Sequence, residues 1–299
     1  MATATDTSAT RQHGLLSFVR RHPYLSFLLT FNILGQAVAF VPVVLRRVHG
    51  IQLNTELVLV VATLLFLLVP ALVITRIARG PDGLHALLRS MTQFRVGARW
   101  WLLPLVAVPA LTVVTALPAP PELTVKTVII TYLATYLPAL LFQFVSTNWW
   151  EETVWMGFYQ APLQDRFGPW RAVLLTTPFF ALEHISLVFG GTLSEGLLQF
   201  GLILLVTLPT RALLAWVYNR TGSVALVGLV HASSNAAGLA LVPQLLGHPG
   251  GGGSALLILG VIVIVATRGR LGYTIHRDAV SPSTGVSPTS PMAPSAGTS

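Results

Sequence analysis

Glu151, Glu152, His184, Arg211 and His231 fall within or at the ends of long apolar runs. Charged groups in such runs are expensive in hydrocarbon and mark function by default. Their spacing adds to the case. His231 and Asn235 are four residues apart, so on a helix they share a face. Phe180 and His184 have the same relation, as do Glu151 and Trp155, and Glu152 and Met156. A carboxylate beside an imidazole makes a general base, and His and Asn donors polarise a carbonyl. Together these are the parts of a hydrolase that uses activated water. Phe180 and Trp155, each one turn from an ionisable residue, are the side chains expected to face a substrate.

The elements that carry these residues must be membrane spans. Of the 299 residues only 9% are charged, against about 25% in a soluble domain. Hydrophobic residues make up 53%. The basic residues behind the net charge of +8 are scattered between apolar runs. That pattern suits loops between spans, not a nucleic-acid stripe. The absence of cysteine excludes disulfides, thiolate metal sites and a cysteine nucleophile. HExxH is absent, GxSxG is absent, and no pair of Asp lies inside a span.

Runs of roughly 20 apolar residues mark the spans. They fall at 24–45, 57–75, 100–117, 172–190, 196–218, 223–242 and 254–267, with one long segment at 124–162. If 124–162 crosses once, kinked at Pro138, the chain has about eight transmembrane helices. Fourteen Arg then lie on one side and Arg46, Arg47 and Lys126 on the other. A double crossing would split the charges eight against nine. The positive-inside rule selects the single crossing, with both termini cytoplasmic and the chain multi-pass in the cell membrane. At about 1.5 Å per residue, Glu151, Glu152, His184 and His231 all sit roughly 15–20 Å deep from that side. The fold class is therefore all-α, a polytopic integral membrane protein.

Five regions follow. Residues 1–23 form a cytoplasmic N-terminal segment. Residues 24–123 hold the first helices and a basic connector at 76–99. Residues 124–245 carry the ionisable residues named above, the stretch that the resemblance described next marks as a catalytic core, and 246–278 hold the last helix with its basic flank. Residues 279–299, rich in Ser, Pro and Thr, read as a disordered tail.

EETVWMGF at 151–158, FALEH at 180–184 and HASSN at 231–235 resemble the motifs EExxxR, FxxxH and HxxxN of the CPBP family, the CAAX-protease and bacteriocin-processing intramembrane endopeptidases. The resemblance covers roughly 124–245. It implies peptide-bond hydrolysis within the membrane on a peptide or protein substrate, with lipid as the other partner and no nucleic acid. Carried over, Glu151 and His184 would activate water, His231 and Asn235 would stabilise the oxyanion, and Glu152 would support the site. The family is often labelled a metalloprotease. Glu151, His184 and His231 would be the ligands of a divalent metal such as zinc, although a metal-free glutamate mechanism uses the same set.

Met156 stands where the family pattern has Arg. Its loss motivates a rival reading, a catalytically silent partner-binding or bacteriocin-immunity protein on the same scaffold. A transporter with a proton relay is a further rival. Arg211 is the one basic residue placed inside a span. It is expected either to snorkel to the interface or to replace the missing Arg by pairing across helices with Glu152 or Glu183.

Overall fold

The computed structural model describes residues 14–116, 123–188, 192–248, 250–251 and 253–274. The expected tail at 279–299 lies outside them. Among the described residues there is no strand. We label the principal helices α1 (Pro23–His49), α2 (Thr55–Met91), α3 (Ala98–Ala116), α4 (Val125–Phe167), α5 (Pro169–Glu183), α6 (Leu193–Thr221), α7 (Val224–Leu246) and α8 (Ser254–Thr267). Six of these are long and apolar enough to cross a membrane, and α5 and α8 are shorter. The protein is a polytopic all-α membrane protein. In hydrocarbon every backbone N–H and C=O must find a partner within the chain, which helices alone supply here.

Polar side chains begin several helices. Asn54, Thr124 and Ser223 accept from the backbone N–H groups of Leu57, Thr127 and Leu226, at the starts of α2, α4 and α7. Thr192 and Glu195 form a reciprocal capping box at the start of α6. The basic segment expected as a connector at 76–99 is helical as far as Met91. It is broken at Gly80, whose φ of 71° only glycine adopts readily. Pro81 then opens a second rod.

Helix α4 runs 43 residues without reversal, as a single crossing of this stretch requires. A wide turn over Tyr132–Tyr136 precedes Pro138 and accommodates the hydrogen bond that proline cannot make. A second wide region spans Thr153–Gln160, where the Ala161 N–H reaches back five residues to Met156 O. It begins directly after Glu151 and Glu152, and such widenings recur at functional sites.

Helix α7 is the centre of the bundle. Its most apolar window is 78% buried within the protein, against 22% for α3 and for α4. Gly228 lets it approach α4 closely, because a Cβ there would lie 3.1 Å from Trp149 Cα and 3.2 Å from the Asn148 carbonyl oxygen. That contact sets His231, one turn later, opposite the Glu pair. Tyr136 and Ser233 hydroxyls converge on the Pro104 carbonyl at 2.5 and 2.8 Å, tying α3, α4 and α7 together.

Candidate active site

Helix α4 presents Glu151 and Glu152, both buried. Wrapped in apolar side chains, a carboxylate pair needs counter-charge or hydrogen-bond donors. Glu152 has both. Arg211 Nη1 donates to its two oxygens at 3.0 and 2.8 Å. His231 Nδ1 lies 3.0 Å from Glu152 Oε1 and 3.8 Å from Glu151 Oε2. A carboxylate accepts, so the hydrogen sits on Nδ1 of His231.

Arg211 is itself fixed. Its Nε donates to Gln160 Oε1 at 2.8 Å, and Gln160 Nε2 donates back to the Arg211 carbonyl at 3.3 Å. The guanidinium lies 5.0 Å from the Phe180 ring centroid. It does not snorkel to an interface, since Arg211 is wholly buried. Of the two carboxylates named as its partners, it bonds Glu152. Met156, in the place of the family Arg, lies instead in an apolar cluster with Leu213, Leu226 and Val230.

Glu151 is held differently. Asn148 Nδ2 donates to its Oε2 at 3.0 Å, and Asn235 Nδ2 donates to Asn148 Oδ1 at 3.2 Å. One amide thus links the carboxylate of the first motif to the Asn of the third. Each NH₂ has a second hydrogen to give.

His184 ends α5, just past its last regular turn. Its Nδ1 is 3.1 Å from the Phe180 carbonyl. A carbonyl only accepts, so Nδ1 carries the hydrogen and Nε2 is left as an acceptor in the neutral ring. The Phe180 ring separates the two imidazoles, with centroids 5.2 Å from His184 and 5.8 Å from His231.

A cavity of about 320 Å³ opens on this group. Phe180, His184, His231 and Asn235 line one side, and Val206 of α6 with Leu256 of α8 are on the apolar side. Of the two residues expected to face a substrate, Phe180 lies on the cavity wall. Trp155 does not. It is wholly buried against Phe27, Phe31, Tyr159 and Phe180, and its indole N–H donates to Glu183 Oε2 at 2.5 Å. Its role is to hold a carboxylate in place.

Glu151, His184 and His231 do not assemble into a ligand set. Among the described residues no three of His, Cys, Asp and Glu are placed to hold a metal ion together. The donors point to other duties: His231 Nδ1 serves Glu152, and Glu151 Oε2 takes the Asn148 amide.

Asn148 and Gln160 escaped the reading of the sequence. Each had one signal, an amide inside an apolar run on the helix that carries the Glu pair. Asn148 is also three residues before Glu151, hence on its face.

Residues 133–237 match the family described as Rce1-like, type II CAAX prenyl endopeptidase Rce1-like. The matched segment contains all three motifs and the whole of α5. It bears out the resemblance to the CAAX-protease family. No curated protein and no solved structure matches the chain.

Proposed function

We propose that this membrane protein, a member of the CAAX-protease-like family through residues 133–237, is an intramembrane endopeptidase whose water is activated by Glu151 and His184. The observation that carries the reading is the convergence of α4, α5 and α7. They bring His184, His231 and Asn235 to the wall of one cavity, with Glu151 Oε2 beside them 3.8 Å from His231 Nδ1, in a chain otherwise poor in charge.

The chemistry follows from the donors and acceptors. Glu151 takes a proton from water, with His184 Nε2 as the second acceptor that orients it. The water oxygen attacks the scissile carbonyl carbon. His231, carrying a hydrogen on each ring nitrogen, donates from Nε2, and with the second N–H of Asn235 it stabilises the developing oxyanion. When the C–N bond breaks, the proton on Glu151 passes to the leaving amine. Glu152, fixed by Arg211, holds the His231 ring in one orientation through Nδ1. Asn148 holds Glu151 and Asn235 in register.

The substrate class is a peptide or protein that reaches the site from the membrane. Both termini are cytoplasmic in this reading, from the charge split of the loops. The silent-scaffold alternative rested on the missing Arg of the first motif. Arg211 supplies that charge from another helix, which favours the peptidase reading over it.

Hydrolysis is tested by reconstituting the protein in liposomes with a library of membrane-tethered peptides in ¹⁸O-water. One ¹⁸O in the new C-terminal carboxylate of a cleaved peptide supports the reading. Absence of cleavage across the library in correctly folded protein counts against it.

A further inference from the structure

A second cavity, of about 450 Å³, lies away from the site, between the start of α3 and the end of α6. Its mouth carries Arg99, in the first turn of α3, and Arg220, in the last turn of α6. Both side chains are exposed, and among the described residues neither has a carboxylate within ion-pair distance. Behind them Trp100 and Trp216 pack with ring centroids 4.9 Å apart. Beyond the indoles the lining is apolar, through Leu102 and Leu103 down to Ala107.

The order of these groups is that of a phospholipid. From Arg99 to Ala107 the helix advances roughly 12 Å, from the level of a headgroup into that of an acyl chain. Indoles favour the boundary between the two. Two guanidiniums without protein counter-charge suit a phosphate, and basic pockets between membrane helices take anionic headgroups. Arg220 is braced for the task. The backbone at Gly272 lies against its side chain and against Trp216, and that loop is tied down where Asn219 donates to the Leu271 carbonyl at 3.0 Å.

We infer that the groove between α3 and α6 is a binding site for one anionic glycerophospholipid, its phosphate on Arg99 and Arg220 and one acyl chain along Leu102, Leu103 and Ala107. The inference does not depend on the peptidase reading, and no residue of the site belongs to the catalytic group.

The purified protein is exchanged into detergent with equal amounts of phosphatidylglycerol and phosphatidylcholine, and retained lipid is counted by native mass spectrometry. Wild type is expected to keep phosphatidylglycerol in preference. Arg99→Gln with Arg220→Gln should weaken that preference about twenty-fivefold, roughly fivefold for each guanidinium. Leu103→Trp, which fills the groove and leaves both charges, should lower retention as well. The control Arg20→Gln with Arg21→Gln should leave it unchanged. Equal retention of the two lipids, or an unchanged preference in the Arg99/Arg220 variant, overturns the inference. So does an equal loss in the Arg20/Arg21 control, which would mean diffuse surface charge. Displacement of the lipid by excess inorganic phosphate overturns it too, because the acyl contacts would then contribute nothing.

Discussion

Arg211 of α6 reaches across the bundle to place one guanidinium nitrogen 3.0 and 2.8 Å from the two oxygens of Glu152 on α4. The family motif would supply this charge from α4 itself, at the position of Met156. Moving it to α6 keeps the ion pair and changes what it connects. Helix α6 also lines the cavity beside His184, His231 and Asn235, through Leu202, Ile203 and Val206. The helix that lines the cavity thus also anchors Glu152, and through it His231.

Removing the guanidinium leaves a buried carboxylate uncompensated. Arg211→Met is therefore expected to lose about 3–5 kcal/mol of stability, as broken buried pairs do. Adding Met156→Arg should recover part of the loss, because it returns a cation to the same carboxylate from the family's own position. Thermal unfolding in detergent, together with peptide cleavage, reads both effects. An Arg211→Met protein with unchanged Tm and unchanged cleavage would show that the pair has no role.

The pairing was legible only as one of two options, because so few charges enter the spans: Arg211 was a cation within reach of Glu152 or Glu183, and snorkelling to the interface fitted the sequence as well. The place of Trp155 was not legible. A four-residue spacing put it beside Glu151 on one helical face. The wide turns that start at Thr153 shift that register, and Phe27 and Phe31 of α1, more than a hundred residues away, close over the ring. Asn148 and Gln160 were missed for another reason. A lone amide in an apolar run looks the same whether it satisfies one backbone group or bridges two motifs.

Asn148→Leu keeps the branched shape, though not the size, and deletes both links, to Glu151 and to Asn235. An unsatisfied buried polar group costs about 1–3 kcal/mol, so turnover should fall about ten- to a hundredfold. If Asn148 is a positioning residue the loss appears in kcat, with KM little changed. Turnover equal to wild type would mean that Glu151 and Asn235 are held without it.

Gly228 is where α7 meets α4 backbone to backbone. Gly228→Leu should push the helices apart, lower Tm and abolish cleavage together, because His231 rides on the displaced segment. Gly228→Ala needs only a few tenths of an ångström of adjustment and should retain much of both. A Leu variant with normal Tm and normal turnover would contradict the close approach.

The loop charges predict that reporter fusions after residue 119 and after residue 248 read as extracytoplasmic. A cytoplasmic reading at residue 248 would mean that the stretch containing α4 crosses twice. That would place the Glu pair and His231 at different depths.

Cleavage of a membrane-tethered peptide by reconstituted wild type and Glu151→Gln tests the hydrolytic site most directly. The Gln side chain keeps the size of Glu151 and can still accept from Asn148, but it cannot take a proton from water. Wild type should cleave and Glu151→Gln should not, with the variant folded and its Tm no lower than wild type. His231→Ala and Asn235→Ala in the same assay should retain cleavage reduced about 10²–10³-fold, as loss of an oxyanion donor does. Full cleavage by Glu151→Gln would contradict the assignment of Glu151 as the base, and with it the proposed use of the site.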